Sequence, residues 1–212
     1  MSNLINNFYI LRIVFIVLLV VIGIGVIDNL KTKDKINIKD RISFKNINNK
    51  FLFRMLFLSF FLRILIEQIS LLINVNQAPV FGTTNWLEII VEFISTCVFA
   101  SVFEEIIIRF GLYEKLSKKL NFGIAIIISS IIFAILHLYN FYGFIILFVI
   151  SIVWNYSYYK TNNLIYPIIL HFVHNIYALL SNYILNNNFY IMLGIISFIL
   201  YIILFLSSKR EK

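Results

Sequence analysis

The sequence has one cysteine, two prolines, three histidines and few charges of either sign. Each scarcity excludes something. A lone Cys97 rules out an internal disulfide and a multi-cysteine zinc site. Two prolines and seven glycines, with no alternating ten-residue strands, argue against a transmembrane barrel. Charged residues make up 13% of the chain, against ~25% in a soluble domain. Hydrophobic residues make up 61%, and the mean hydropathy is +0.92. The chain therefore reads as an integral membrane protein, an all-α polytopic bundle with the lipid bilayer as its solvent. No internal repeat or soluble domain stands out. A formal charge of +8 would suggest nucleic acid in a soluble protein. Here it falls in loops, where it speaks of membrane orientation, and no nucleic-acid partner is expected.

What is present is a series of apolar runs long enough to cross a ~30 Å hydrocarbon core. They predict seven helices, over about 8–27, 51–73, 86–120, 122–138, 141–159, 164–184 and 189–206. The first has no basic segment before it and no small-residue cleavage site after it, so it is expected to stay as an anchor or plain span. Pro79 and Gly82 mark a turn between the second and third runs. The segment 28–50 carries seven Lys/Arg and three Asp. It alternates with uncharged connections in such a way that every basic segment falls on one side. The positive-inside rule then places the protein in the cell membrane as a multi-pass chain, with its N-terminus out and its C-terminus cytoplasmic. By organisation, 1–85 holds the first two helices and the basic loop. A core follows over 86–184, and 185–212 is a last helix with a basic tail.

Ionisable side chains inside such runs are costly and point to function. Glu104 and Glu105 are adjacent, and Arg109 lies one turn past Glu105, the better orientation for a helical ion pair. Glu104 lies ~100° around the helix, so both acids cannot face Arg109 equally. Glu104 is the reactive candidate; Glu105 and Arg109 are its support. Arg63 and Glu67 form a similar pair on the second helix, structural by the same reasoning. If the third and fourth helices make a hairpin turning near residues 120–121, Glu104 and His137 are equidistant from the turn. At ~1.5 Å per residue both lie roughly 24 Å from it. His171, on the sixth helix, is roughly 12 Å in by the same measure, with Asn175 one turn deeper. Each polar residue has a plain structural explanation, Asn175 as interhelical glue and Phe133 as packing that fixes the His137 rotamer. Convergence of several costly groups from three helices favours chemistry.

These residues read E-E-x-x-x-R at Glu104-Glu105-Arg109, F-x-x-x-H at Phe133-His137, and H-x-x-H-N at His171-His174-Asn175. In this order, on separate helices, they resemble the CPBP family of intramembrane proteases, which includes CAAX prenyl proteases and bacteriocin-processing (Abi) proteins. The resemblance covers about 86–182. Many members have glycine directly after the motif arginine; here Phe110 intervenes before Gly111. The resemblance implies an intramembrane endopeptidase in which Glu104, assisted by His137, activates a water. It also implies that His171 and Asn175 stabilise the oxyanion. A base within reach of water and donors aimed at developing charge are what peptide hydrolysis needs. The expected partner is a peptide or membrane-protein substrate. Leader peptides, peptide pheromones and bacteriocin self-immunity are the roles the family suggests.

No cofactor is required by the sequence. The family is often labelled a metalloprotease, and zinc is possible, held by Glu104, His137 and His171, the common three-ligand complement. No H-E-x-x-H motif demands it, and a glutamate mechanism without metal is the preferred expectation. His174 is a spare donor or a packing residue. Two other readings stand beside the protease. One is a catalytically silent membrane protein that binds a membrane sensor or peptide. The other is a small transporter built on Glu67, Glu88 and Glu92, against which the lack of paired broken half-helices argues.

Overall fold

A computed structural model describes residues 2–45, 47–72, 85–137, 140–184 and 187–209. Seven long helices run through these residues: α1 Ser2–Lys33, α2 Asn49–Leu72, α3 Trp86–Ser117, α4 Phe122–Leu136, α5 Phe141–Thr161, α6 Ile165–Ile184 and α7 Asn187–Lys209. No strand occurs among the described residues. The chain is an all-α membrane bundle. By length and composition α3, α5 and the Phe8–Lys33 part of α1 can cross a membrane, and α4, α6 and α7 contain shorter apolar stretches. The turn expected at Pro79 and Gly82 lies outside the described residues.

Asparagines, which bond locally to the backbone and so favour helix ends, set several boundaries. Asn121 accepts from the Ile124 N–H at 2.9 Å to start α4, and Asn140 accepts from the Gly143 N–H at 2.9 Å to start α5. Asn162 closes α5 in the left-handed region, φ 51°, which asparagine tolerates better than most residues. Asn163 Oδ1 accepts from the Ile165 N–H at 3.1 Å and opens α6. Pro167 then falls in the first turn of α6, where a missing N–H breaks no intrahelical bond.

Two boundaries differ from the expectation in an informative way. The first helix does not stop near Ile27 but continues to Lys33. Its last turns carry Leu30, which is fully buried against Phe110 and Tyr113 of α3, so packing extends the helix into polar sequence. The basic segment is consequently a shorter strap. It includes a 3-10 turn, Ile38–Arg41, and docks on the α5–α6 junction. The Leu164 N–H donates to the Arg41 carbonyl at 2.7 Å, and Asn163 Nδ2 donates to the Ser43 carbonyl at 2.7 Å.

The other difference lies within α3. Two π-helical stretches, Phe93–Ala100 and Ile106–Tyr113, flank one α-helical turn, Ser101–Glu105. In the second stretch the Glu114 N–H bonds to the Arg109 carbonyl, five residues back. Such i→i+5 stretches are rare and often mark functional positions, because they re-aim the side chains next to them. The turn they isolate carries Glu104 and Glu105. Close approach of α1 to α3 depends on glycine here: a Cβ on Gly111 would lie 2.8 Å from Val26 Cγ1.

Candidate active site

Glu104 and Glu105 leave α3 in different directions. Glu105 is fully buried, and its Oε2 pairs with Arg109 Nε at 2.9 Å. Its other oxygen accepts from His171 Nδ1 at 2.8 Å. Arg109 donates from Nη2 to Ser151 at 2.9 Å and lies over the Phe133 and Trp154 rings, 4.9 and 5.6 Å from their centroids. Glu104 instead turns to the histidines. Its Oε2 is 3.5 Å from His137 Nε2 and 3.9 Å from His171 Nε2. The Glu104 side chain is 14% exposed whereas that of Glu105 is 0%; of the two, only Glu104 can be reached by a reactant.

The histidine tautomers follow from their outer partners. His137 Nδ1 is 2.8 Å from the Phe133 carbonyl, which can only accept, so Nδ1 carries the hydrogen. His137 caps α4 with φ −83° and ψ −8°, the sparse bridge region in which many active-site residues sit. His171 Nδ1 faces Glu105, the partner of Arg109, and donates to it. Its ring is stacked on Trp154, centroids 4.6 Å apart, and meets Phe133 edge-on at 5.8 Å. In their neutral forms both rings therefore present an Nε2 lone pair towards the Glu104 carboxylate. Three acceptors converge on one point. At 3.5 and 3.9 Å they are too far apart for direct hydrogen bonds. What fits between them must bring protons or positive charge.

That donor set matches zinc in type, with two imidazole nitrogens and one carboxylate, each imidazole held through its other nitrogen. Tetrahedral ligands ~2.1 Å from a zinc lie roughly 3.4 Å from one another, close to the two separations above. Among the described residues no three His, Cys, Asp or Glu side chains form a closed metal cluster. The fit is thus one of donor type and pairwise spacing.

Asn175 stands apart from these three. Its Nδ2 donates to the Thr96 carbonyl at 2.7 Å and lies 3.4 Å from Ser101 Oγ, which ties α6 to the first π-helical stretch of α3. Phe133 contributes more than rotamer packing, because its carbonyl sets the His137 tautomer and its ring lies beneath Arg109. His174 bonds Ser59 through Nε2 at 2.9 Å and stacks on Phe60, directed at α2.

Sequence reasoning did not single out Trp154, Ser151 or Asn155. Trp154 contacts His171, His174, Phe133 and Arg109 from below. Asn155 donates to Ser130 at 2.9 Å, and its Nδ2 lies 3.5 Å from Ser151, which itself accepts from Arg109. The available signal was one face of an otherwise apolar α5 carrying Ser151 and Asn155 one turn apart. The acids that suggested transport have local partners: Glu92 pairs with Arg12, Glu67 with Arg63 and Tyr177, and Glu88 with the Asn85 side chain.

Residues 85–177 match the family model described as Rce1-like: Type II CAAX prenyl endopeptidase Rce1-like. The matched segment contains every residue of the Glu104, His137 and His171 constellation. No curated protein and no solved structure matches the chain.

Proposed function

From the match of residues 85–177 to the Rce1-like model of type II CAAX prenyl endopeptidases, we propose that the chain is a member of that family and that Glu104, His137 and His171 hydrolyse a peptide bond near the cytoplasmic membrane face. The match supports a CAAX-type intramembrane endopeptidase in general terms. The observation that carries the residue roles is the convergence of Glu104 Oε2 with two imidazole Nε2 atoms whose tautomers are set from outside.

A water at that point donates one hydrogen to Glu104 and the other to His137 Nε2, leaving its oxygen lone pair for the scissile carbonyl. As the new C–O bond forms, Glu104 takes the proton and the carbonyl electrons move onto oxygen. Collapse breaks the C–N bond, and Glu104 returns the proton to the leaving nitrogen. His171 stabilises the oxyanion when it carries a proton on Nε2, because Glu105 then balances the imidazolium as the triad aspartate does in serine proteases. Asn175 Nδ2 gives one hydrogen to the Thr96 carbonyl and turns the other to Ser101; we assign it first to holding α6 against α3. If zinc is bound, Glu104, His137 and His171 hold it, and it supplies Lewis-acid activation of the water.

The basic strap and the other Lys/Arg-bearing connections favour a cytoplasmic placement for that face, with the N-terminus outside. Substrates of this reading are leader peptides, peptide pheromones or membrane-protein segments, in peptide maturation or bacteriocin self-immunity. Reconstitution in liposomes tests it, with wild type and Glu104→Gln assayed on membrane-anchored peptides with and without chelator. We expect cleavage by the wild type and a ~10²–10⁴-fold loss in the folded variant. Equal cleavage by both removes Glu104 from the chemistry. Activity that survives chelator assigns it to the side chains alone; loss restored by zinc assigns the metal.

A further inference from the structure

On the basic face, a cavity of about 720 Å³ opens between the strap, the start of α2 and the α5–α6 junction. Arg41, Lys45, Arg54 and Lys160 line it, with Asp40 as the one carboxylate. Arg41 Nε is committed to Glu114 at 2.7 Å. Arg54 lies over the Phe51 ring, 5.2 Å from its centroid, so Lys45 and Lys160 are the cations assigned to a ligand here. The Lys160 ammonium lies 5.7 and 5.4 Å from the centroids of Tyr156 and Tyr159, which holds its charge at the tyrosine level. α2 and α6 begin at this wall and α5 ends at it, so two positive dipole ends stand against one negative.

The strap itself carries a second signal. Between Arg41 and Lys45, Ile42 and Phe44 are exposed, Phe44 to 75%. The strap's other apolar residues, Ile36, Ile38 and Ile47, pack against the helices, so exposed Ile42 and Phe44 among cations suit a segment that lies in the headgroup layer, not one that faces bulk water. Tyrosines at helix ends mark the same layer.

We propose that this cavity binds the phosphate of an anionic phospholipid headgroup, with Lys45 and Lys160 as its cationic partners and Ile42 and Phe44 among the acyl chains. The same phosphate chemistry is offered by a soluble phosphate ester, and the exposed Phe44 is what favours the lipid. The site is independent of the peptidase reading, since none of its residues belongs to the Glu104 constellation.

The test uses the full chain in neutral detergent, incubated with phosphatidylglycerol and repurified, with retained lipid counted by mass spectrometry. Lys45→Gln/Lys160→Gln should lose retained lipid about tenfold or more, given the attraction of juxtamembrane lysines for anionic lipid. Lys31→Gln/Lys33→Gln removes equal charge at the end of α1, outside the cavity lining, and should keep the lipid. Equal retention by the cavity variant and wild type overturns the proposal, as does equal loss in the control pair. A second arm separates the sources. Phe44→Ser weakening phosphatidylglycerol retention, with glycerol phosphate unable to displace the lipid, assigns the diacyl headgroup. Displacement by millimolar glycerol phosphate, with Phe44→Ser unchanged, overturns the lipid and leaves a soluble phosphate ester as the ligand.

Discussion

Arg109 Nε and Glu105 Oε2 lie 2.9 Å apart, and neither side chain is exposed. Breaking such a pair from one side strands a charge, at about 3–5 kcal/mol. Lysine does not replace arginine here, because one ammonium cannot reach both Glu105 and Ser151 while lying over Phe133 and Trp154. We expect Arg109→Ala to lower stability by about 3–5 kcal/mol, and Arg109→Lys to recover only part of it. In Arg109→Ala/Glu105→Gln the uncompensated carboxylate is gone, so the double variant should be more stable than Arg109→Ala alone. Denaturation of the purified protein in detergent measures all three.

The two adjacent glutamates should separate in their effects. Glu104 faces the reactive point and touches little else, whereas Glu105 serves both Arg109 and His171. Glu104→Gln should therefore leave the unfolding midpoint near that of wild type while removing activity. Glu105→Gln should lower stability by about 3–5 kcal/mol and also lower kcat in the molecules that remain folded, since His171 loses the carboxylate that orients its ring. If Glu105→Gln loses stability but keeps the wild-type kcat, Glu105 is structural only.

The division between these two acids was legible in the sequence, because adjacent helical residues point ~100° apart and only one can meet a residue four positions on. The helices were legible too, from apolar runs of spanning length closed by asparagine. Other parts were not. The π-helical stretches around Ser101–Glu105 leave no strong residue signature, yet they set where Glu104 points. His171 was expected nearer the membrane surface than Glu104, but it meets Glu104 at 3.9 Å. The wider i→i+5 turns advance less per residue and remove a small part of that difference; the rest is the height at which α6 starts, which a count along its own sequence does not give. Trp154 looked like one more aromatic in an apolar helix. It acquires meaning only once α5 lies beneath Arg109 and His171.

The glycine offset from its usual family position has a measurable role. A methyl group at residue 111 would sit 2.8 Å from Val26 Cγ1, a short branched side chain that cannot swing away. Gly111→Ala should push α1 from α3 and lower stability by about 1–3 kcal/mol, the usual penalty of overpacking. Val26→Ala in the same chain should restore part of the loss, because it removes the clashing methyl. Failure of Val26→Ala to rescue would mean that α1 does not press on Gly111.

Where α1 and α3 emerge on the basic face, Lys118 Nζ lies 2.5 Å from Asp34 Oδ1. The Lys118 hydrogen bond and charge hold the Asp34 carboxyl below its ordinary range. A depressed folded-state value means that the pair's stabilising contribution is fully present above the unfolded aspartate value of ~3.9. It is lost as the pH falls through the lower folded value. Between neutrality and mild acid the pair should therefore add no pH dependence. Below about pH 4 wild type should converge in stability on Asp34→Asn, which has no proton to gain. Unfolding of both proteins from pH 7 to pH 3 measures this, and a gap that widens towards acid would reverse the assigned sign. Both side chains are partly exposed, so 1 M salt, with a Debye length of ~3 Å, should narrow the gap at pH 7.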